Sequence, residues 1–127
     1  MLVAFLATLT ALTAIRTAFH RSTNSDAALI ETLQYEYDNG GLFQFFWNTR
    51  GEENENTLAA LQRAGFGRHA DLFGRVVAEF DAERETLAAA WKNPFDMDAY
   101  SSAAQRSAIT ACDIEWGKLP RLVPDDS

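Results

Sequence analysis

The chain has 127 residues, 47% of them hydrophobic, and a formal net charge of −7. This length and apolar share suit one domain with a single core and argue against disorder, while the excess of acids argues against direct duplex binding, which requires Lys and Arg to neutralise phosphates. The lone cysteine, Cys112, rules out an internal disulfide and fits the cytoplasmic location expected here.

Met1 to Ile15 carries no charge. Fifteen residues fall short of the ~20 that span a bilayer as a helix, and no base precedes them as in a secretory signal. Leu2, Phe5, Leu9, Leu12 and Phe19 recur with helical spacing. The expectation is an apolar helix over residues 1–20, in the core or at a homodimer interface, ahead of a signal or membrane-associating segment.

Arg21 to Ser25 is a polar break with several candidate caps. A helix follows from about Asp26 to Asp38, with Leu29, Ile30, Leu33 and Tyr37 inward. Asn39-Gly40-Gly41 should end it, and an aromatic-rich helix should run from about Leu42 to Asn48. At least one of these glycines should take a positive φ. Gln44 and Asn48, four apart among Phe43, Phe45, Phe46 and Trp47, should share a face and bond backbone of a neighbouring segment. Leu58 and Leu61 mark a short helix ended by Gly65. From His69 onward Phe73, Val76, Val77, Phe80, Leu87 and Trp91 hold one face up to Asn93-Pro94, as one helix or as two with a weak point at Asp81 to Glu85. Ser102 to Gln105 has capping-box spacing and predicts the start of a last helix through Ile109, Cys112 and Trp116, closed by Gly117. Residues 118–127 read as an irregular tail. No stretch alternates like a strand. The predicted fold is all-α: a compact single-domain bundle of about five to six helices over residues 1–127.

The segment Glu36-x-x-Asn39-Gly40-Gly41-x-x-Gln44-Phe45-Phe46-x-Asn48-x-x-Gly51 resembles the signature of the bacterial DNA-mimic-protein C-terminal-domain family, with Leu42 standing where the family usually has Phe. The motif covers about an eighth of the chain. The resemblance implies an acidic helical dimer whose best-known relative occupies the DNA-binding face of a transcription factor. Within the motif, Glu36, Asn39, Gly40, Gly41, Gln44, Phe46 and Asn48 read as a structural corner. Glu36 is placed to accept bonds from the Asn39-Gly40-Gly41 backbone.

Chemistry is harder to find. His20 and His69 have no ligand-spaced neighbours, and no HxxxH or CxxC spacing occurs, so no metal or cofactor is implied. His69, near a helix start, reads as a surface residue or local cap, and Cys112 as a buried, inert thiol. Gly65-Phe66-Gly67 lacks the Lys-Ser/Thr of a phosphate loop, and Asp96-Met97-Asp98 reads as capping.

The acids are the better candidates. Residues 51–127 hold fourteen acids and eight bases. On a helix, Glu79 with Glu83 and Asp81 with Glu85 form two acidic edges, and Glu52, Glu53 and Glu55 cluster before another helix; Asp113 and Glu115 add a further pair. Arg75 is placed to pair with Glu79. Neighbouring acids ~5–6 Å apart approach the phosphate spacing of a DNA strand. The expected role is therefore binding to a basic protein partner, with no membrane and no direct nucleic acid; the family resemblance implies that this partner is a DNA-binding regulator. An immunity or antitoxin protein covering a toxin such as a nuclease is the alternative, and an enzyme with an unrecognised carboxylate site a third.

Overall fold

The computed structural model describes residues 24–124, so the expected helix over residues 1–20 lies outside it. Among the described residues every regular element is a helix: α1 Asp26–Thr49, α2 Asn54–Arg63, α3 Gly67–Ala90, α4 Met97–Arg106, α5 Ala108–Ala111 and α6 Asp113–Gly117. The all-α, single-domain reading of the sequence holds.

Helix α1 begins where the polar break offers a cap: the Ser25 hydroxyl accepts the Ala28 amide at 3.1 Å. It continues to Thr49 with a kink at Gly40 and Gly41, which leave helical geometry at φ −164°, ψ 15° and φ 82°, ψ −176°. The kink divides α1 into two arms, and α2 packs along them. The left-handed Arg50 (φ 57°) and Gly51 (φ 77°) turn the chain into α2. The Phe80 ring occupies the space that a Cβ on Gly51 would need, so glycine is required there for both reasons.

The second arm supplies the centre of the core. Phe46 is fully buried and stacks on Phe73 (centroids 5.8 Å) and Phe80 (5.1 Å) of α3, with Phe45 edge-on to Phe73. Phe43 and Trp47 meet Tyr100 of α4 edge-on at 5.5 and 5.1 Å. Each large aromatic buried this way is worth ~1.5–3 kcal/mol from its area alone. Helix α3 is one uninterrupted element, so the weak point considered at Asp81 to Glu85 is not a break.

The C-terminal part departs from expectation in two places. The last helix does not open at Ser102, which lies inside α4. The cap is Asp96, whose carboxylate accepts the Asp98 and Ala99 amides at 3.0 and 3.2 Å. The chain then breaks at Ser107, in extended geometry, and resumes as two short helices. Residues 118–124 are irregular, as expected, yet they are tied down. Leu122 is buried and its amide donates to Gln34 Oε1 (2.8 Å), while Arg121 forms an ion pair with Asp38 (2.9 Å).

Candidate functional site

The Asn39-Gly40-Gly41 corner is held from two sides. Glu36, on the first arm, accepts Gln44 Nε2 at 2.8 Å through Oε1, and Asn48 Nδ2 at 3.0 Å through each carboxylate oxygen. The three polar side chains therefore join one arm of α1 to the other. The expected partner was backbone of another segment, and the partner is instead the Glu36 carboxylate. The kink folds the arms together, which puts residues eight and twelve apart within reach. On the other side, Asp113 of α6 accepts the Leu42 amide at 2.9 Å, capping the second arm from a distant part of the chain. A Cβ on Gly41 would strike that carboxylate, and one on Gly40 would strike the Gln44 side chain. Burial raises the Asp113 pKa, partly offset by the Leu42 bond. Asn39 is exposed at the tip.

Beside this network runs a groove of about 380 Å³. Trp47 and Tyr100 form its aromatic part, Gln44 and Asn48 its polar wall, and Arg50 with Pro94, Phe95 and Met97 its rim. Trp91 Nε1 donates to the Trp47 carbonyl at 3.1 Å, and the Arg50 guanidinium lies 5.6 Å from the Trp91 ring centroid. Phe95 is 91% exposed and Met97 69%.

The seven acids nominated from the sequence divide into two kinds. Glu52, Glu55, Glu79, Asp81 and Glu85 are exposed, and Asp81 pairs with Arg84 at 2.8 Å. Glu53 and Glu83 are half-buried. Glu53 accepts Asn24 Nδ2 (3.0 Å) and Asn56 Nδ2 (3.1 Å). Glu83 accepts the Ala108 amide at 2.8 Å, capping α5. Its position explains this: three after Phe80 and four before Leu87, it belongs to the inward side of α3. Arg75 does not pair with Glu79 but with Glu115 at 2.6 Å. Asp113 and Glu115 thus serve internal contacts. No group of three His, Cys, Asp or Glu side chains among the described residues is placed to hold a metal, and no helix among them is long and apolar enough to cross a membrane.

The compactness of this helical region is matched by its extent in comparison: a family model described as DMP19-like protein matches residues 24–123. The chain belongs to the DMP19-like family. The match covers α1 through α6 and the tied-down segment after them, so the DMP19-like region coincides with the packed unit. This agrees with a DNA-mimic-like family; it is a match of the whole region, not of the Asn-Gly-Gly segment by itself. No significant match was found among curated proteins or among solved structures.

Three polar residues of this DMP19-like unit escaped the sequence reading. His69 is no surface cap: it is buried, its Nε2 lies 2.7 Å from the Pro120 carbonyl, and its ring meets Phe66 and Trp116 edge-on. Gln34 is buried between Asp38 and Leu122. Both partners are more than fifty residues away in sequence for the contacts that matter, which no local pattern reports. Asp113 is the third: its sequence position marked it, with Glu115, only as a further acidic pair, whereas its carboxylate accepts the Leu42 amide. Cys112 is half-buried, with its thiol pKa pushed up by burial and by the neighbouring Glu79 and Glu115 charges, so it is no activated nucleophile.

Proposed function

We propose that this protein is an acidic helical interaction protein that presents its exposed carboxylates to a basic protein partner, in the manner of a DNA mimic acting on a DNA-binding regulator. One observation carries the reading: five of the seven nominated acids, Glu52, Glu55, Glu79, Asp81 and Glu85, remain exposed after folding. Membership of a DNA-mimic-like family supports it further. On α3, Glu79 and Asp81/Glu85 flank the buried Phe73–Phe80 stripe on either side, so the acids line the borders of a rigid element. A rigid scaffold keeps charge spacing fixed, which a mimic of a regular polyanion needs. Such a protein has no catalytic residue, cofactor or membrane attachment, and works in the cytoplasm as a homodimer.

Capture of partners from native lysate tests this. The captured protein should be basic, should be released by raised salt, and should be displaced by duplex DNA. Capture of a partner that neither salt nor DNA releases contradicts the proposal. A captured nuclease or other toxin, inhibited on binding, would instead select the immunity reading, for which the same acidic surface serves.

A further inference from the structure

The groove beside the Glu36 network is unusual for so acidic a chain: its lining contains Arg50 and no carboxylate. A second cavity among the described residues, by contrast, is lined by Asp71 and Glu115 along with its bases. Phe95 and Met97 stand exposed at the groove's rim, next to the Trp47 and Tyr100 rings. Exposed apolar side chains grouped around a concave aromatic surface mark a place where something docks.

The chain itself carries a matching segment. It enters the described region at Asn24, whose amide donates to Glu53 at 3.0 Å, and Glu53 lies three residues beyond the groove's Arg50. The intervening turn is tight, closed by Glu52 N–H to Thr49 O at 3.0 Å, so the entry point and the groove share one end of the molecule. The 23 residues that precede Asn24 would reach ~35 Å as a helix. Their charges, Arg16 and Arg21, fall nearest the entry, where Glu52, Glu53 and Glu55 cluster, and Met1 to Ile15 has none. An uncharged stripe thus corresponds to a groove without acids, and a basic stretch to an acidic turn. We propose that the apolar stripe Leu2, Phe5, Leu9 and Leu12 docks in this groove of its own chain, covering Phe95 and Met97. This stands apart from the acidic-face function and does not depend on it.

Disulfide trapping in the full chain tests the docking. In a Cys112→Ser background, Met97→Cys is combined in turn with Phe5→Cys, Leu9→Cys and Leu12→Cys and oxidised at low protein concentration. At least one pair should close within a single chain, and faster than the same three paired with Arg68→Cys, which lines the second cavity. No intrachain bond at Met97→Cys, or one no faster than at Arg68→Cys, overturns the proposal. Disulfide-linked dimers alone also overturn it, since a second copy would then fill the groove. Independently, Phe95→Asp should lower the melting temperature of the full chain by at least about 4 °C. An unchanged melting temperature would show that Phe95 is uncovered and would overturn the docking as well.

Discussion

Gly41 and Gly40 look equivalent in sequence, and folding separates them. Gly41, at φ 82° and ψ −176°, occupies a region of backbone space that is essentially reserved for glycine, where other residues cost about 1–3 kcal/mol. Gly40, at φ −164°, has an extended φ that any residue adopts, and its constraint is only the Gln44 side chain in the way. Urea denaturation should therefore show Gly41→Ala destabilised by about 1–3 kcal/mol and not restored to parent stability by Asp113→Ala, which removes the side-chain contact but leaves the strained backbone. Gly40→Ala should be rescued at least in part by Gln44→Ala. If the two glycine variants behave alike, the corner is not built as described. Asp113 gives a second prediction. Its carboxylate caps Leu42, but burial raises its pKa, so the folded state holds the proton more tightly than the unfolded state. Its contribution to stability is then complete below the ordinary carboxylate pKa and is lost as pH rises through its raised value. Asp113→Asn keeps an acceptor without the buried charge and should be at least as stable as the parent at neutral pH, an advantage that fades on acidification. Asp113→Ala, which removes the cap, should cost ~1 kcal/mol. Melting curves across pH for both variants check this. The turn at these glycines was legible because Asn-Gly-Gly has few other uses. Glu36 was legible as part of the corner, though its partners are the Gln44 and Asn48 side chains beyond the kink and not the Asn39-Gly40-Gly41 backbone; Asp113 was not, because it lies seventy-one residues on from Leu42.

At the scale of elements, the long apolar stripes of α1 and α3 located them well, and α2 was found from Leu58, Leu61 and the closing Gly65. The stripe itself also held the answer for Glu83, whose offsets from Phe80 and Leu87 place it inward. The region after Pro94 was harder. Asp96 outcompetes Ser102 as a cap because it sits directly after the turn at Asn93 to Phe95, whose closing bond runs from the Asp96 amide to the Asn93 carbonyl at 3.1 Å. Residues 118–124 lack periodicity, yet they work as a strap over α1. Leu122→Ala should cost ~2 kcal/mol, at the low end for a buried leucine because the site is near the surface. Arg121→Ala should cost less than ~1 kcal/mol, since its pair with Asp38 is solvent-exposed. Equal losses from the two, measured by thermal melting, would mean that the ion pair rather than the apolar anchor holds the strap. Asp38 and Asp26 both have pKa values lowered, first by hydrogen bonds from Arg121 and Arg63 respectively. Their small contributions are present above the ordinary carboxylate pKa and lost as pH falls through their lowered values, the reverse of Asp113.

For the whole molecule, charge and fold point the same way. The helical class and single domain followed from composition and stripe spacing, and the surplus of acids toward residues 51–127 was visible at once. Which acids stay available was not, because capping and ion pairing are decided by tertiary neighbours: Glu53, Glu83, Asp113 and Glu115 are drawn into internal contacts, while Glu79 and Glu85 remain exposed. The function proposed above therefore rests on the exposed set. Attraction between exposed charges is screened within ~8 Å at physiological salt, and rim charges act chiefly on the rate of encounter. The most direct measurement is the association rate of the captured partner with the parent chain and with Glu79→Lys/Glu85→Lys, across a series of salt concentrations. The parent should associate more slowly as salt rises, and the double reversal should slow association and flatten that dependence while leaving the melting temperature within a few degrees of the parent. Association that is indifferent to both salt and the reversals would place the interface on an apolar surface and contradict the acidic-face account.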